Sequence, residues 1–553
     1  MIVNSLIASG ILIAVFLFWK YVFPKRNIWP IFIIIGVSIL PLVSMLRPGI
    51  YESGDFILHT TWLMSFVDSL KEGILFPKWS MDLCGGYGCP LFTYFYVLPY
   101  YIASAFVFLG FSFVTSIKIL LAFSFVLSGI TSYVWLKKEF GSYPALIGAI
   151  LYQFAPRHFV VMHFSTTIGE TLGFALAPLV LLGVKLCIQK RTKFRILLLA
   201  ASFALLILAH QMVTAIMLPF IFIYVLYCSD FSIRKSLHNL RTVTCVLAVS
   251  LLLTAYHWIP IVFETHLIHQ STEHNVLTYP LNEFLVSPWR YGLLYQGPQG
   301  QLSSFIGYAQ ITVLAVTFWF SKKNKILKYV SFLAIAIFIF MQAIFKPIWQ
   351  TIPILNDFQS VHRLLIALIL LASFSAALLV HKKYVNKKIA AVFALIAVAI
   401  TILNWGNRGT LPISDAQIRA NMHNQRGDLE TTPIGSDVSK FPLFTTPITI
   451  LSGNAQITQD SRTSVLHEYT IRNTQPVTIR ENTQYFLNWK ITDHGLPVRF
   501  RTDDPTTPGL MVYNLQPGTH TILVRFEETY LNVVGNNLSI VTLALVLFVF
   551  LLA

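Results

Sequence analysis

Apolar runs of about the length that a bilayer demands recur from Ile2 to Trp405, and one more closes the chain. A helix crossing a hydrocarbon core needs about 20 apolar residues, and backbone groups inside that core must pair within the protein, so the runs form helices or a closed barrel. They are rich in Leu, Ile and Phe and lack the period-2 alternation of barrel strands. The expected fold is therefore a mainly α, polytopic membrane helical bundle. With 55% hydrophobic and only 12% charged residues, an ordinary soluble enzyme is excluded. The net charge of +16 would suggest nucleic acid in a soluble protein. Here the cations sit between apolar runs, where they set orientation, so membrane lipids and no nucleic acid are the expected partners.

Six basic clusters punctuate the runs: Lys20, Lys25, Arg26; Lys137, Lys138; Lys185, Lys190, Arg191, Lys193, Arg195; Arg234, Lys235, Arg241; Lys322, Lys323, Lys325, Lys328; and Lys382, Lys383, Lys387, Lys388. By the positive-inside tendency all six are cytoplasmic. Helices between successive clusters must then come in pairs. This predicts about 13 spans with the N-terminus outside: 2–19, 29–46, 114–136, 143–156, 166–186, 196–209, 212–228, 243–262, 306–320, 329–345, 364–380, 389–404 and 536–553. Counting Leu91 to Gly110 as a further span would invert Lys137 and Lys138, so that segment is placed on the outer face. Of the twelve acids before residue 405, all but Glu139 and Asp230 then fall outside. That bias points to an outward-facing acidic site or, equally, to outer loops that are simply longer.

The helical domain is expected at 1–404, with its first outer loop at 47–113. Residues 405–535 change character, with Thr, Pro, Asn and Asp common and 11 basic residues against 12 acidic ones. Alternating stretches such as YTIRNTQPVTIR, QYFLNWKITDHG and GTHTILVRFEET predict a small extracytoplasmic β-sandwich. It is followed by a C-terminal transmembrane helix at 536–553. No cleavable leader is expected, because the first apolar run meets basic residues rather than a small-residue cleavage site. Cys84 and Cys89 in DLCGGYGCP suit a small disulfide or a free pair, while Cys187, Cys228 and Cys245 read as packing residues.

Chemistry concentrates in the outer segments. Asp55 and His59 lie four apart at the start of a predicted helix over 55–71, a spacing that places a carboxylate and an imidazole on one face. Such a pair can take a proton from a hydroxyl nucleophile; the plainer reading is that Asp55 caps the helix and His59 is a surface residue. Tyr87 in GYGCP offers a stacking wall of the kind sugar sites use. Arg157, His158 and His163 precede Glu170, an acid opening an apolar span, which marks either a site or an Arg157–Glu170 ion pair. His210, Glu264 and Arg363 sit at expected outer helix ends, and Lys78 lies in the first outer loop. No phosphate-binding Gly-rich loop, zinc-ligand spacing or Gly-x-Ser-x-Gly elbow is present.

As a set, GDFILHTTW, ILFPKWSMDLCGGYGCPLFTYFYVLPYY, YQFAPRHF with IGETLGFALAPLVLL, LAHQMVTA, AYHWIPIVFE and IPILNDFQSVHRLL resemble the GT-C superfamily of membrane glycosyltransferases. The similarity is to YfhO-type proteins and to those labelled 6-pyruvoyl-tetrahydropterin synthase-related, although the chain lacks the His-x-His pattern that pterin chemistry would require. The resemblance implies a GT-C-like bundle and transfer of a sugar from a polyprenyl-phosphate carrier to a hydroxyl of an envelope glycan, lipid or protein, with inversion. It implies a multi-pass location in the plasma (cytoplasmic) membrane. Asp55 matches the family's catalytic acid of the first outer loop, with His59 and Glu170 beside it in the catalytic set. Lys78, Tyr87, Arg157, His158, His210, Glu264 and Arg363 form the expected substrate-binding set. No cofactor is certain; Gly54-Asp55 lacks a second adjacent acid, so no metal ligands are assigned and a divalent metal stays open. A transporter or flippase of lipid-linked saccharide, or a non-catalytic scaffold whose outer domain binds polymer, are the alternatives.

Overall fold

A computed structural model describes residues 18–19, 21–22, 28–269, 276–406, 409–424 and 431–551. The chain divides into two compact units. The first comprises Met1–Phe56, Ile117–Ser250 and His274–Pro412, and the second Ile57–Ser116, Leu251–Glu273 and Ile413–Ala553.

Among the described residues eight helices are long and apolar enough to cross a membrane: Trp29–Leu46, Phe113–Phe140, Ile168–Gln189, Gln211–Cys228, Ile233–Leu253, Val361–His381, Lys387–Asn404 and Tyr530–Phe550. Two bent pairs bring the number to ten if each counts as one span. Several of the thirteen expected spans take a different form among the described residues. Near 143–156 the chain breaks where Pro156 starts a new helix, so that Ser142–Gln153 and Pro156–Phe164 meet at 51°. Near 329–345, Lys325–Phe340 and Ala343–Thr351 meet at 68°. Tyr308–Trp319, with 12 residues, reaches only about 18 Å. The expected span at 243–262 splits at Thr254 into Ile233–Leu253 and Ala255–Glu264. The first expected span, save its last two residues, and the cluster Lys20, Lys25, Arg26 lie outside the described residues.

The first unit packs around Val361–His381, whose residues from Leu365 to Val380 are all buried. A helix apolar on every side belongs in the middle of a bundle. Gly148 permits the close approach of Ser142–Gln153: a Cβ there would stand 2.7 Å from the Ser373 carbonyl oxygen, and Ser373 Oγ donates to the Gly148 carbonyl at 2.8 Å. A short antiparallel pair, β1 (Ile50–Tyr51) and β2 (Thr410–Leu411), joins the two ends of this unit's chain segments.

In the second unit the period-2 pattern becomes two antiparallel sheets. One holds β3 (Ile448–Ser452), β6 (Val477–Gln484), β10 (Leu510–Leu515) and β9 (Phe500–Arg501), in that order. The other holds β4 (Ala455–Arg462), β5 (Leu466–Asn473), β11 (Gly518–Phe526), β7 (Trp489–Asp493) and β8 (Leu496–Pro497). Their inward residues share one apolar core, to which Ile479 and Tyr513 come from the first sheet and Ile471, Trp489 and Ile522 from the second. Trp79 of the first outer loop joins that core, 5.3 Å from the Trp489 ring. Gln484 further binds the loop, its backbone N–H donating to the Tyr87 carbonyl at 2.9 Å and its side-chain amide to the Gly88 carbonyl at 2.7 Å. Cys84 and Cys89 are joined as a disulfide. The first unit runs on to Pro412, and Ile57–Ser116 belongs to the sheet-bearing unit. Leu98–Phe108 within it has 11 residues, about 17 Å of helix, too short to cross a bilayer.

Ile522 is fully buried between the sheets. Ile522→Ala should cost about 2–5 kcal/mol of this unit's stability, read as accelerated hydrogen exchange across β5, β7 and β11 with the helical unit unchanged.

Candidate active site at Asp55

Asp55 stands at the end of a short loop just before the helix Phe56–Lys71. Two backbone bonds fix it: Gly54 N–H donates to the Phe164 carbonyl and Asp55 N–H to the Ser165 carbonyl, both at 2.9 Å. Thr166 Oγ1 donates to Ser53 Oγ at 2.5 Å, and the Tyr51 hydroxyl to the Met162 carbonyl at 2.9 Å. The receiving element is a turn after a π-helical segment, Val160–Phe164, with Thr166 at φ +56°. Such π segments are frequent at functional sites.

That turn is braced from behind. Arg157 Nε donates to Glu170 Oε1 at 2.8 Å and Arg157 Nη2 to Glu170 Oε2 at 2.7 Å, a bidentate pair with both side chains almost fully buried. Arg157 lies on Pro156–Phe159 and Glu170 in the first turn of Ile168–Gln189, so the pair spans the turn at both ends. Of the two readings of these residues, the mutual ion pair is the one the structure contains.

The Asp55 carboxylate, in contrast, has no hydrogen-bond or ion-pair partner among the described residues, and it does not cap its helix. It is half-buried, and burial raises its pKa above the ordinary carboxylate value. The three residues before it, Glu52, Ser53 and Gly54, line a cavity of about 390 Å³ together with Phe164, Gln296 and Gln299 among others. An adjoining cavity of about 460 Å³ shares Phe164, Gln296 and Pro298 and adds Arg290 and Asn404. A carboxylate held by its backbone, unclaimed at its oxygens and only half-buried can take a proton from an incoming hydroxyl.

The other expected residues make contacts of their own. The partner of His59 Nδ1 is the Tyr100 hydroxyl at 2.7 Å, with the Trp62 and Tyr96 rings around it; burial pushes its pKa down to about 3, so it is neutral at pH 7. The reading of His59 as a surface residue is corrected accordingly. Lys78 is buried, donating to Asn532 Oδ1 at 2.7 Å and lying 3.3 Å from Glu528. Burial lowers its pKa, against the opposing charges of Glu528 and Glu264. Glu264 is buried beside this group with its own pKa raised by that burial. The Tyr87 hydroxyl donates to the Pro442 carbonyl at 3.0 Å and its ring packs on Phe441 and Phe444. His158 is buried, bonded to the Gln153 carbonyl at 3.0 Å and 4.0 Å from the Phe174 ring. His210 caps Gln211–Cys228, accepting the Val213 N–H at 3.3 Å. Arg363 donates to Gln359 at 2.9 Å. Among the described residues no three His, Cys, Asp or Glu side chains gather as a metal would require. Glu52, Arg290, Gln296 and Gln299 line the cavities without having been singled out; the only signal for Glu52 was its place three residues before Asp55.

Removing one member of the buried pair strands the other as a bare charge. Glu170→Leu or Arg157→Leu should lower stability by about 3–5 kcal/mol, while the double leucine variant recovers most of it. Thermal unfolding of the purified chain in detergent reads the cycle.

The family described as "6-pyruvoyl-tetrahydropterin synthase related domain; membrane protein" matches residues 92–408. A Lactococcus lactis subsp. cremoris protein described as uncharacterized is 23% identical over 210 residues, which are 37% of this chain and 34% of that relative. The chain thus spans about a third of the curated relative it matches. Among solved structures, the arabinofuranosyltransferase AftD from Mycobacteria is similar at 17% identity with a TM-score of 0.47, over 70% of this chain and 28% of that one. A mutant form of AftD is similar at 16% identity with a TM-score of 0.41, over 70% and 29%. The family match runs through more than half of the residues, from the first outer loop to the end of the helix Lys387–Asn404, and the chain belongs to the 6-pyruvoyl-tetrahydropterin synthase related family of membrane proteins.

Proposed function

We propose that the protein is a membrane glycosyltransferase of the GT-C type, moving a sugar from a polyprenyl-phosphate carrier to a hydroxyl of an envelope glycan, lipid or protein. The observation that carries this reading is the Asp55 carboxylate, half-buried and unclaimed by any described side chain, directly after three residues that line an open cavity. Asp55 takes the proton of the acceptor hydroxyl as its oxygen attacks the anomeric carbon. The bond from that carbon to the phosphate oxygen breaks on the opposite face, so the configuration inverts and polyprenyl phosphate departs. Partial burial serves this step, because a raised pKa makes the carboxylate a better proton acceptor. Arg157 and Glu170 act as positioning residues that hold the Asp55 turn, not as groups that touch the sugar. Glu264, Lys78 and Tyr87 build the outer unit. The Cys84–Cys89 disulfide supports an extracytoplasmic setting for that unit in the plasma membrane, since such bonds persist in oxidising compartments. No step of the mechanism calls on a cofactor.

Purified protein incubated with radiolabelled polyprenyl-phosphate sugars and envelope fractions should yield a labelled polymer, lipid or protein. Asp55→Asn should reduce the rate roughly 10²–10⁴-fold while leaving the fold intact. A rate unchanged in D55N, or no Asp55-dependent product from any donor, overturns the proposal in favour of a transporter or scaffold.

A base works only when ionised. Activity is therefore expected to fall as pH drops through the Asp55 pKa, and the acid limb of kcat/KM should lie above the ordinary carboxylate value of about 4. A profile flat down to that value counts against Asp55 as the base.

A further inference from the structure

Any donor of the proposed class presents a phosphate to the cavities beside Asp55, and that anion needs a cation. The cations first suspected are occupied: Arg157 by Glu170, Lys78 by Glu528 and Asn532, and Arg363 by Gln359. Arg290 differs. It lines the cavity that shares Phe164, Gln296 and Pro298 with the one at Gly54, and it has no acidic partner among the described residues. We infer that Arg290 holds the phosphate of the lipid-linked donor, an inference that rests on the glycosyltransferase reading.

The backbone around Arg290 is built to hold it. Arg290, Tyr291 and Gly292 occupy the left-handed region consecutively, with φ +42°, +56° and +82°. For two residues with a Cβ this conformation is disfavoured and persists only where its surroundings impose it. Three links impose it. Leu294 N–H returns to the Trp289 carbonyl at 3.3 Å, closing the turn, and Ser287 Oγ donates to the Leu294 carbonyl. Asn404 then pins the exit strand, accepting from Tyr295 N–H and donating to the Leu293 carbonyl, each at 2.8 Å. The turn therefore presents a guanidinium from a fixed base beside the cavity.

The setting suits a lipid-borne rather than a free phosphate. Leu285, Val286 and Tyr291, close to Arg290 in the chain, are exposed large hydrophobics; the Tyr291 ring is fully uncovered. An aromatic and aliphatic rim beside a cation is the composition of a membrane–water interface, where a phosphate headgroup meets its hydrocarbon tail. A guanidinium there can grip two phosphate oxygens at once, which an ammonium cannot.

The test uses the full chain in detergent and a short-chain prenyl monophosphate as probe, with the matching prenyl alcohol and inorganic phosphate as controls. Arg290→Gln should weaken prenyl phosphate binding about 10–100-fold, the range for losing charge-assisted hydrogen bonds, and leave prenyl alcohol binding unchanged. Arg290→Lys should fall between and also guards against a glutamine variant that does not fold. Inorganic phosphate should compete only weakly; equal competition would reassign the site to free phosphate and overturn the lipid assignment. D55N should bind the probe like the native chain, so a failure of catalysis by Asp55 is distinguishable from a failure of this site. Native-level binding by a folded R290Q, or equal loss for the alcohol, overturns the inference.

Discussion

The site hangs on an ion pair buried where water cannot screen it. Arg157 and Glu170 lie on either side of the break that separates Pro156–Phe164 from Ile168–Gln189. An apolar helix interrupted in this way leaves backbone carbonyls without intrahelical donors, an expensive state in a bilayer protein. Here those of Phe164 and Ser165 are satisfied by the N–H groups of Gly54 and Asp55. The two charges hold the break open at one geometry, and the geometry sets the carboxylate's position. A buried pair of this kind is a weak source of net stability but a strong source of uniqueness, because only one arrangement satisfies both charges.

Much of the helical architecture was written in the spacing of apolar runs, and the strands of the outer unit in their alternation. The shortfall against thirteen spans has a local cause: Pro156 restarts a helix, and Tyr308–Trp319 ends after three turns, neither of which interrupts an apolar run as hydropathy measures it. Domain membership was harder to read. Trp79 belongs to the sheet core through contacts with Trp489 and Phe526, some 400 residues on, and no periodicity foretells a partner at that distance.

For the site the same line divides the legible from the illegible. Asp55 and the Arg157–Glu170 alternative could be named because ionisable groups at such places are costly and so informative. The contacts of His59 and Lys78 were not legible, because Tyr100 is supplied by another helix and Glu528 and Asn532 lie some 450 positions from Lys78. Arg290 carries no motif at all. Its significance arises from a turn whose conformation depends on Asn404, more than a hundred positions away.

The sheet-bearing unit is assembled from three stretches of chain, Ile57–Ser116, Leu251–Glu273 and Ile413–Ala553, with long membrane segments between them. Its earliest piece emerges from the ribosome while the strands that will cover Trp79 are still untranslated. Until those strands are made, Trp79 lacks the Trp489 and Phe526 rings that complete its core. The sheet-bearing unit therefore closes only through contacts between distant stretches of chain, and its assembly runs at the pace of long-range closure.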